Sequence, residues 1–285
     1  MKLHRCVKIE LWKAFHRKAY RVALIIALII AAADIAQTVI EVKNLYLRSN
    51  PGAGWEGISL FTWWIGVNGY TFGHILYFFL WPLLAAIPYG SSYCAERQNG
   101  MSLQIVTRSG RKTYLLSKYI AIFVSSGTVM ALPLFLNLML KALFCPASVI
   151  RVSSMMTTIE NGDFMSGVFF TNPWLFVLVW CCLDFLWGGA AGAICLAFGT
   201  AIRKCALLTL MPFILLVAID LGWTLIRSVL AAKGAPTFMN LSPLSLANAG
   251  SSMPHTTVQL FTVLGTMIVI PLALFCCKER KNDLL

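Results

Sequence analysis

The sequence predicts an all-α, polytopic integral membrane protein with six transmembrane helices, and three observations carry that prediction. The 285-residue chain is 59% hydrophobic and 12% charged, with a mean hydropathy of +0.76, a composition that suits lipid as solvent better than water. Apolar stretches of about 20 residues recur along it, each able to cross a hydrocarbon core of roughly 30 Å at 1.5 Å per residue. The basic residues behind the net charge of +12 gather beside the ends of those stretches, as membrane topology requires and nucleic-acid binding does not.

The chain opens with a segment, 1–21, that reads as an amphipathic interfacial helix. Leu3, Val7, Leu11, Ala14 and Phe15 share one helical face, while Lys2, Arg5, Lys8, Lys13, Arg17 and Lys18 occupy the others. It is too charged for the n-region of a cleaved signal, and no small-residue cleavage pattern follows the next apolar run, so the first span is expected to be retained. That span covers about 22–40. A loop with the turn signal Asn50-Pro51-Gly52 leads to a second span at about 71–93. The polar segment 94–113 follows, and then a third span, about 114–140, containing Pro133, which kinks a helix unless neighbours satisfy the carbonyl it frees.

A loop rich in Ser, Thr, Asn and Gly precedes the fourth span, about 174–202, which is long enough to tilt or bend at Gly188-Gly189. Arg203-Lys204 makes a short turn before the fifth span, about 206–230. A loop with Pro236, Pro243 and Pro254 precedes the sixth, about 257–277, which ends at Lys278-Glu279-Arg280-Lys281. With six spans, 17 lysines and arginines fall on the side of the termini and 6 on the other. The positive-inside bias then places both termini in the cytoplasm and the chain, as one transmembrane domain, in the cell membrane.

Candidate chemistry is sparse, and no catalytic constellation is expected. His4, His16, His74 and His255 form no H-E-x-x-H and are spread over both faces, so no metal site is predicted. The nine cysteines are too scattered for a disulfide scaffold or zinc spacing, and read as packing. No G-x-x-x-x-G-K-[ST] is present to cradle nucleotide phosphates. Asp34, Asp184 and Asp220 fall inside spans, where a carboxylate costs at least about 2.5 kcal/mol and marks either a transport pathway or a helix-pairing acid. Gly188 and Gly192 form a G-x-x-x-G that allows close helix packing, within the chain or with a second subunit. Trp12 and the run Phe61-Thr62-Trp63-Trp64 read as aromatic belts at headgroup level.

The 94–113 segment carries the most specific pattern. Glu96-Arg97-Gln98-Asn99-Gly100 is followed by the apolar-rich Met101 to Val106, and then by Arg108-Ser109-Gly110-Arg111-Lys112-Thr113-Tyr114-Leu115-Leu116-Ser117-Lys118. This resembles the permease family of type-2 ATP-binding-cassette (ABC) transporters, in which E-x-x-x-G after the second span precedes a basic turn and a lysine at the third. Here Thr107 stands where a proline is frequent and Ser109-Gly110-Arg111 interrupts the basic pair. Lys8-Ile9-Glu10-Leu11-Trp12-Lys13 resembles the family's amphipathic leading helix, and Leu241-Ser242-Pro243-Leu244 its outer S-P.

The resemblance implies a dimeric permease, of like or unlike subunits, whose 94–113 segment is a coupling helix docking on a separate nucleotide-binding ATPase. Glu96, Arg97, Gly100, Met101, Leu103, Arg108 and Arg111 would carry that contact. ATP and Mg would be bound by the partner and no cofactor by this chain, which would not itself be an enzyme. Alternating access would then export a peptide, an antibiotic or a lipid-like substrate. Two other readings stay open: an ion-coupled secondary transporter using the span aspartates, and a non-transporting immunity or sensor subunit. An ordinary basic loop gripping anionic membrane lipid is a further reading of 94–113.

Overall fold

The computed structural model describes all residues except 1–2, 49–58, 149, 151–158, 160–161, 200, 203, 234–240, 252–255 and 282–285. The expected turn at Asn50-Pro51-Gly52, Arg203 and His255 lie outside the described residues, as do Pro236 and Pro254. The described chain is helical, with no strand. Five helices are long and apolar enough to cross a membrane: α2 (Lys18–Arg48, apolar over Lys18–Asn44), α7 (Arg111–Lys141), α9 (Pro173–Gly199), α10 (Cys205–Ala232) and α12 (Thr257–Lys281, apolar over Thr257–Phe275). These are the features of a polytopic membrane protein.

The expected second span is not one continuous helix. It divides into α4 (Phe72–Ala86), a turn over 87–91, and α5 (Ser92–Gln98). Pro88 has no N–H to donate back to Leu84, which ends the α-helical ladder. Gly90 lets the turn press against α9, because a Cβ there would lie 2.7 Å from Cys195 Sγ. At 15 residues α4 spans about 22 Å, less than a full hydrocarbon core.

α9, with the short α8 (Ser166–Thr171) packed on it, runs through the middle of the bundle, against α4, α7, α10 and α12. Its glycines set the approach of α7. A Cβ on Gly188 would lie 2.6 Å from Met130 Cβ, and one on Gly192 2.7 Å from Ser126 Cβ. Gly127 of α7 answers from the other side, where a Cβ would stand 2.5 Å from Phe185 O. The G-x-x-x-G is therefore used inside the chain. Gly192→Ala is expected to cost about 1–3 kcal/mol through overpacking, whereas Gly222→Ala in α10, where nothing lies within 4 Å, should be neutral or better. Thermal unfolding of both variants in mild detergent checks the contrast.

Prolines inside the spans free carbonyls that lipid cannot satisfy, and at Pro133 and Pro212 neighbouring side chains answer them. Pro133 leaves Val129 O without its helical donor, and the Tyr77 hydroxyl reaches Val129 O at 3.5 Å and Met130 O at 2.5 Å. Pro212 does the same to Leu208 O, to which the Cys195 thiol donates at 3.5 Å. Each pairing joins the interrupted helix to its neighbour.

The aromatic run near α3 (Leu60–Trp63) is not a belt. Phe61, Thr62, Trp63 and Trp64 are all buried, and Trp64 Nε1 donates to Leu134 O at 3.0 Å. The loop folds back over the end of the bundle, so these rings close the core rather than meeting headgroups. Trp12 of α1 (Leu3–His16) is 62% exposed.

Candidate functional site

α7 contributes two fully buried lysines, Lys118 near its start and Lys141 at its end. Twenty-three residues of helix put them about 35 Å apart. A buried ammonium is tolerable only when paired and hydrogen-bonded. Each lysine accordingly gathers carboxylates and polar groups from other elements, and the two clusters mark opposite ends of the bundle.

At the first end, Lys118 Nζ lies 2.5 Å from Glu10 Oε2 of α1 and 2.7 Å from Glu96 Oε1 of α5. Lys13 stands 2.8 Å from Glu10 and 3.8 Å from Glu96. The Tyr89 hydroxyl donates to Glu10 at 2.9 Å and that of Tyr114 to Glu96 at 2.8 Å, while the ammonium of Lys118 sits 4.7 Å from the centre of the Tyr89 ring. Burial by itself would raise the Glu10 carboxyl; the charge and hydrogen bond of Lys118, then those of Lys13, outweigh it and hold Glu10 below its usual 4.5. Burial also opposes the charge of Lys13, but its bond to Glu10 and the nearby Glu96 hold its ammonium above the usual 10.5.

This cluster holds α5, which leads into α6 (Met101–Ser109). Gly100, at φ 68°, breaks the chain between α5 and α6, and Gly110, at φ 81°, breaks it again before α7. Both have a positive φ, which glycine adopts without steric cost. Of the residues expected to meet a partner, Arg97, Met101, Leu103 and Arg108 are exposed, and Arg111 and Gly100 are partly so. Glu96 is placed differently. Its carboxylate points inward to Lys118 and Tyr114, so its charge holds α5 to α1 and α7 instead of being offered to the surface.

The first helix, α1, is also rotated from the expected register. The residues it buries are Cys6, Glu10 and Ala14, with Leu3 exposed. Pairing with Lys118 draws an acid into the centre of the packed face. Among the described residues no three His, Cys, Asp or Glu side chains converge as metal ligands. His74 uses its ring on the fold: Nδ1 donates to Ile65 O at 2.5 Å and Nε2 accepts from Asn248 at 2.9 Å.

The three span aspartates are not brought together. Asp34, wholly buried, pairs with Lys141 at 2.6 Å and accepts from Thr71 Oγ1 at 2.6 Å and Asn137 Nδ2 at 2.9 Å. Lys141 also donates to Trp63 O, so this cluster ties α2, α7, the start of α4 and the α3 loop together. Asp220 accepts from Ser242, the serine of the S-P before α11 (Pro243–Leu246). Asp184 is buried in α9, and its Oδ1 has no hydrogen-bond partner.

Sequence reasoning gave no site role to Glu10, Tyr89, Asn137 or Lys141. The signal for Lys141 was available: a lysine closing a long apolar run requires a carboxylate partner, and Asp34 was the span acid nearest the matching end. Compared with protein-family models and with curated proteins, the chain matches none of them, so its functional reading rests on these residues and their geometry.

Proposed function

We propose that the chain is the transmembrane permease subunit of a type-2 ABC transporter, an exporter of a peptide, antibiotic or lipid-like substrate driven by a separate ATPase. In this reading α4 with its following turn is the second of six spans, both termini are cytoplasmic, and α5–α6 is the coupling segment. One observation carries it: α6 presents exposed Met101 and Leu103 between two glycine breaks, while the buried Lys118 cluster holds the preceding α5 to α1 and α7. A short helix with an exposed apolar side and a fixed base can transmit a push from a partner to the spans. A solvated loop cannot. Nucleotide chemistry would belong to the partner, and a second permease subunit would complete the pathway.

The test is affinity purification from mild detergent. A P-loop ATPase recovered at near equal stoichiometry is expected, and Met101→Asp with Leu103→Asp should cut that recovery at least about tenfold, since central apolar contacts carry most of an interface. Because both side chains are exposed, stability should stay within about 0.5 kcal/mol. Repeated absence of an ATPase would sink the reading.

Asp184 favours a second reading. A buried span acid with an unpartnered oxygen is where an ion-coupled carrier would bind its proton or cation. Loss of transport in Asp184→Asn, with folding intact and no ATPase recovered, would move the assignment there.

A further inference from the structure

Beside the Lys118 cluster, Trp12, Lys13, His16 and Arg17 of α1 and its following turn face Tyr89, Ser92 and Glu96 across a pocket of about 430 Å³. Glu10 and Glu96 are both engaged by Lys118, and Lys13 is shared between them. Lys13, Lys118 and Arg17 therefore outnumber the two carboxylates, and the excess charge is that of Arg17. Its guanidinium lies 5.8 Å over the Tyr89 ring with no carboxylate at ion-pair distance among the described residues. The buried hydroxyl of Ser92 has no hydrogen-bond partner. Exposed Trp12 stacks on His16 at 4.5 Å, the placement of an indole at the headgroup level of a bilayer.

We propose that this pocket binds the phosphate of an anionic phospholipid, with Arg17 as the main cationic contact and Trp12 as the wall on the membrane side. A phosphate ester fits because it meets a spare guanidinium with charge-assisted hydrogen bonds and can accept from a hydroxyl. The lipid source, rather than free phosphate, follows from what adjoins the pocket. α2 leaves it carrying Val22, Ile25, Ile26 and Ile29 exposed in one stripe, an apolar track for acyl chains. This site does not depend on the transporter reading, because it needs only a membrane beside α1 and α2.

Native mass spectrometry of the full chain in detergent, titrated with phosphatidylglycerol, phosphatidylcholine or inorganic phosphate, tests it. Phosphatidylglycerol should be retained at least about tenfold more strongly by the wild type than by Arg17→Gln, the effect of one charge-assisted contact. Lys8→Gln, which removes an exposed charge of α1 that does not line the pocket, should leave retention unchanged. Trp12→Ala should weaken phosphatidylglycerol while leaving the fold intact, so the proposal does not rest on one variant. Equal losses in Arg17→Gln and Lys8→Gln would reduce the effect to diffuse charge and overturn it. So would equal retention of phosphatidylcholine, and inorganic phosphate binding as tightly as the lipid would overturn the lipid source.

Discussion

Lys118→Met is expected to lose about 3–5 kcal/mol of stability, because it strands two carboxylates that the fold has already taken out of water. Lys118 is fully buried, and the side chains of Glu10 and Glu96 are 5% and 12% exposed. Without the ammonium, only Lys13, itself a third exposed, and the two tyrosine hydroxyls remain to meet both negative charges. The thermal midpoint in detergent should fall on the order of 10 °C. Adding Glu10→Gln and Glu96→Gln should recover much of the loss, since the charges leave together.

The pH dependence distinguishes this cause from a packing defect. In the wild type the depressed Glu10 contributes stability above its ordinary 4.5, and that contribution is lost as pH falls through its lower folded value. In Lys118→Met the same carboxyl is left to burial, which raises it, so its penalty is largest at neutral pH and shrinks on acidification. The gap between variant and wild type should therefore narrow from pH 7 to pH 5. A constant gap would point to lost packing of the lysine stem.

What the sequence made legible and what it concealed divide along a physical line. The length and apolarity of α2, α7, α9, α10 and α12 are one-dimensional properties, and they are read directly from runs such as 114–140 and 206–230. The interruption of 71–93 was written in Pro88 and Gly90, but the surrounding apolar residues masked it. The rotated face of α1 was not legible, because Glu10 is polar by any scale and becomes a core residue only through a lysine 108 positions away. The G-x-x-x-G announced close packing without naming its partner, and only the approach of Ser126 and Met130 assigns it to α7. The burial of Trp63 and Trp64 depends on a loop folding inward, which composition does not encode. Glu96 was read as facing a partner and instead turns inward to Lys118 and Tyr114, since a charge on a short polar helix looks the same in sequence whether it faces in or out.

At the other end of α7, Asp34→Asn and Lys141→Met should each cost about 3–5 kcal/mol, and the double variant should cost less than either alone. Asp34 and Lys141 pair at 2.6 Å with both side chains at most 1% exposed, so either single change leaves a buried group without its counter-charge. The losses need not be equal. Asp34 retains donors in Thr71 and Asn137, whereas Lys141 retains the Trp63 carbonyl, so the lone carboxyl is better provided for than the lone ammonium. Asp34→Asn is therefore the more damaging change. Chemical denaturation in mild detergent yields the coupling, and additive losses would mean that the pair does not act as a unit. The same variants separate structure from transport. If Asp34 serves only to join α2 to α7, the double variant keeps whatever transport or ATPase coupling the wild type has. A double variant that folds but no longer moves substrate would instead put Asp34 on the path, because a carboxylate that binds a travelling ion cannot be replaced by a well-packed neutral pair.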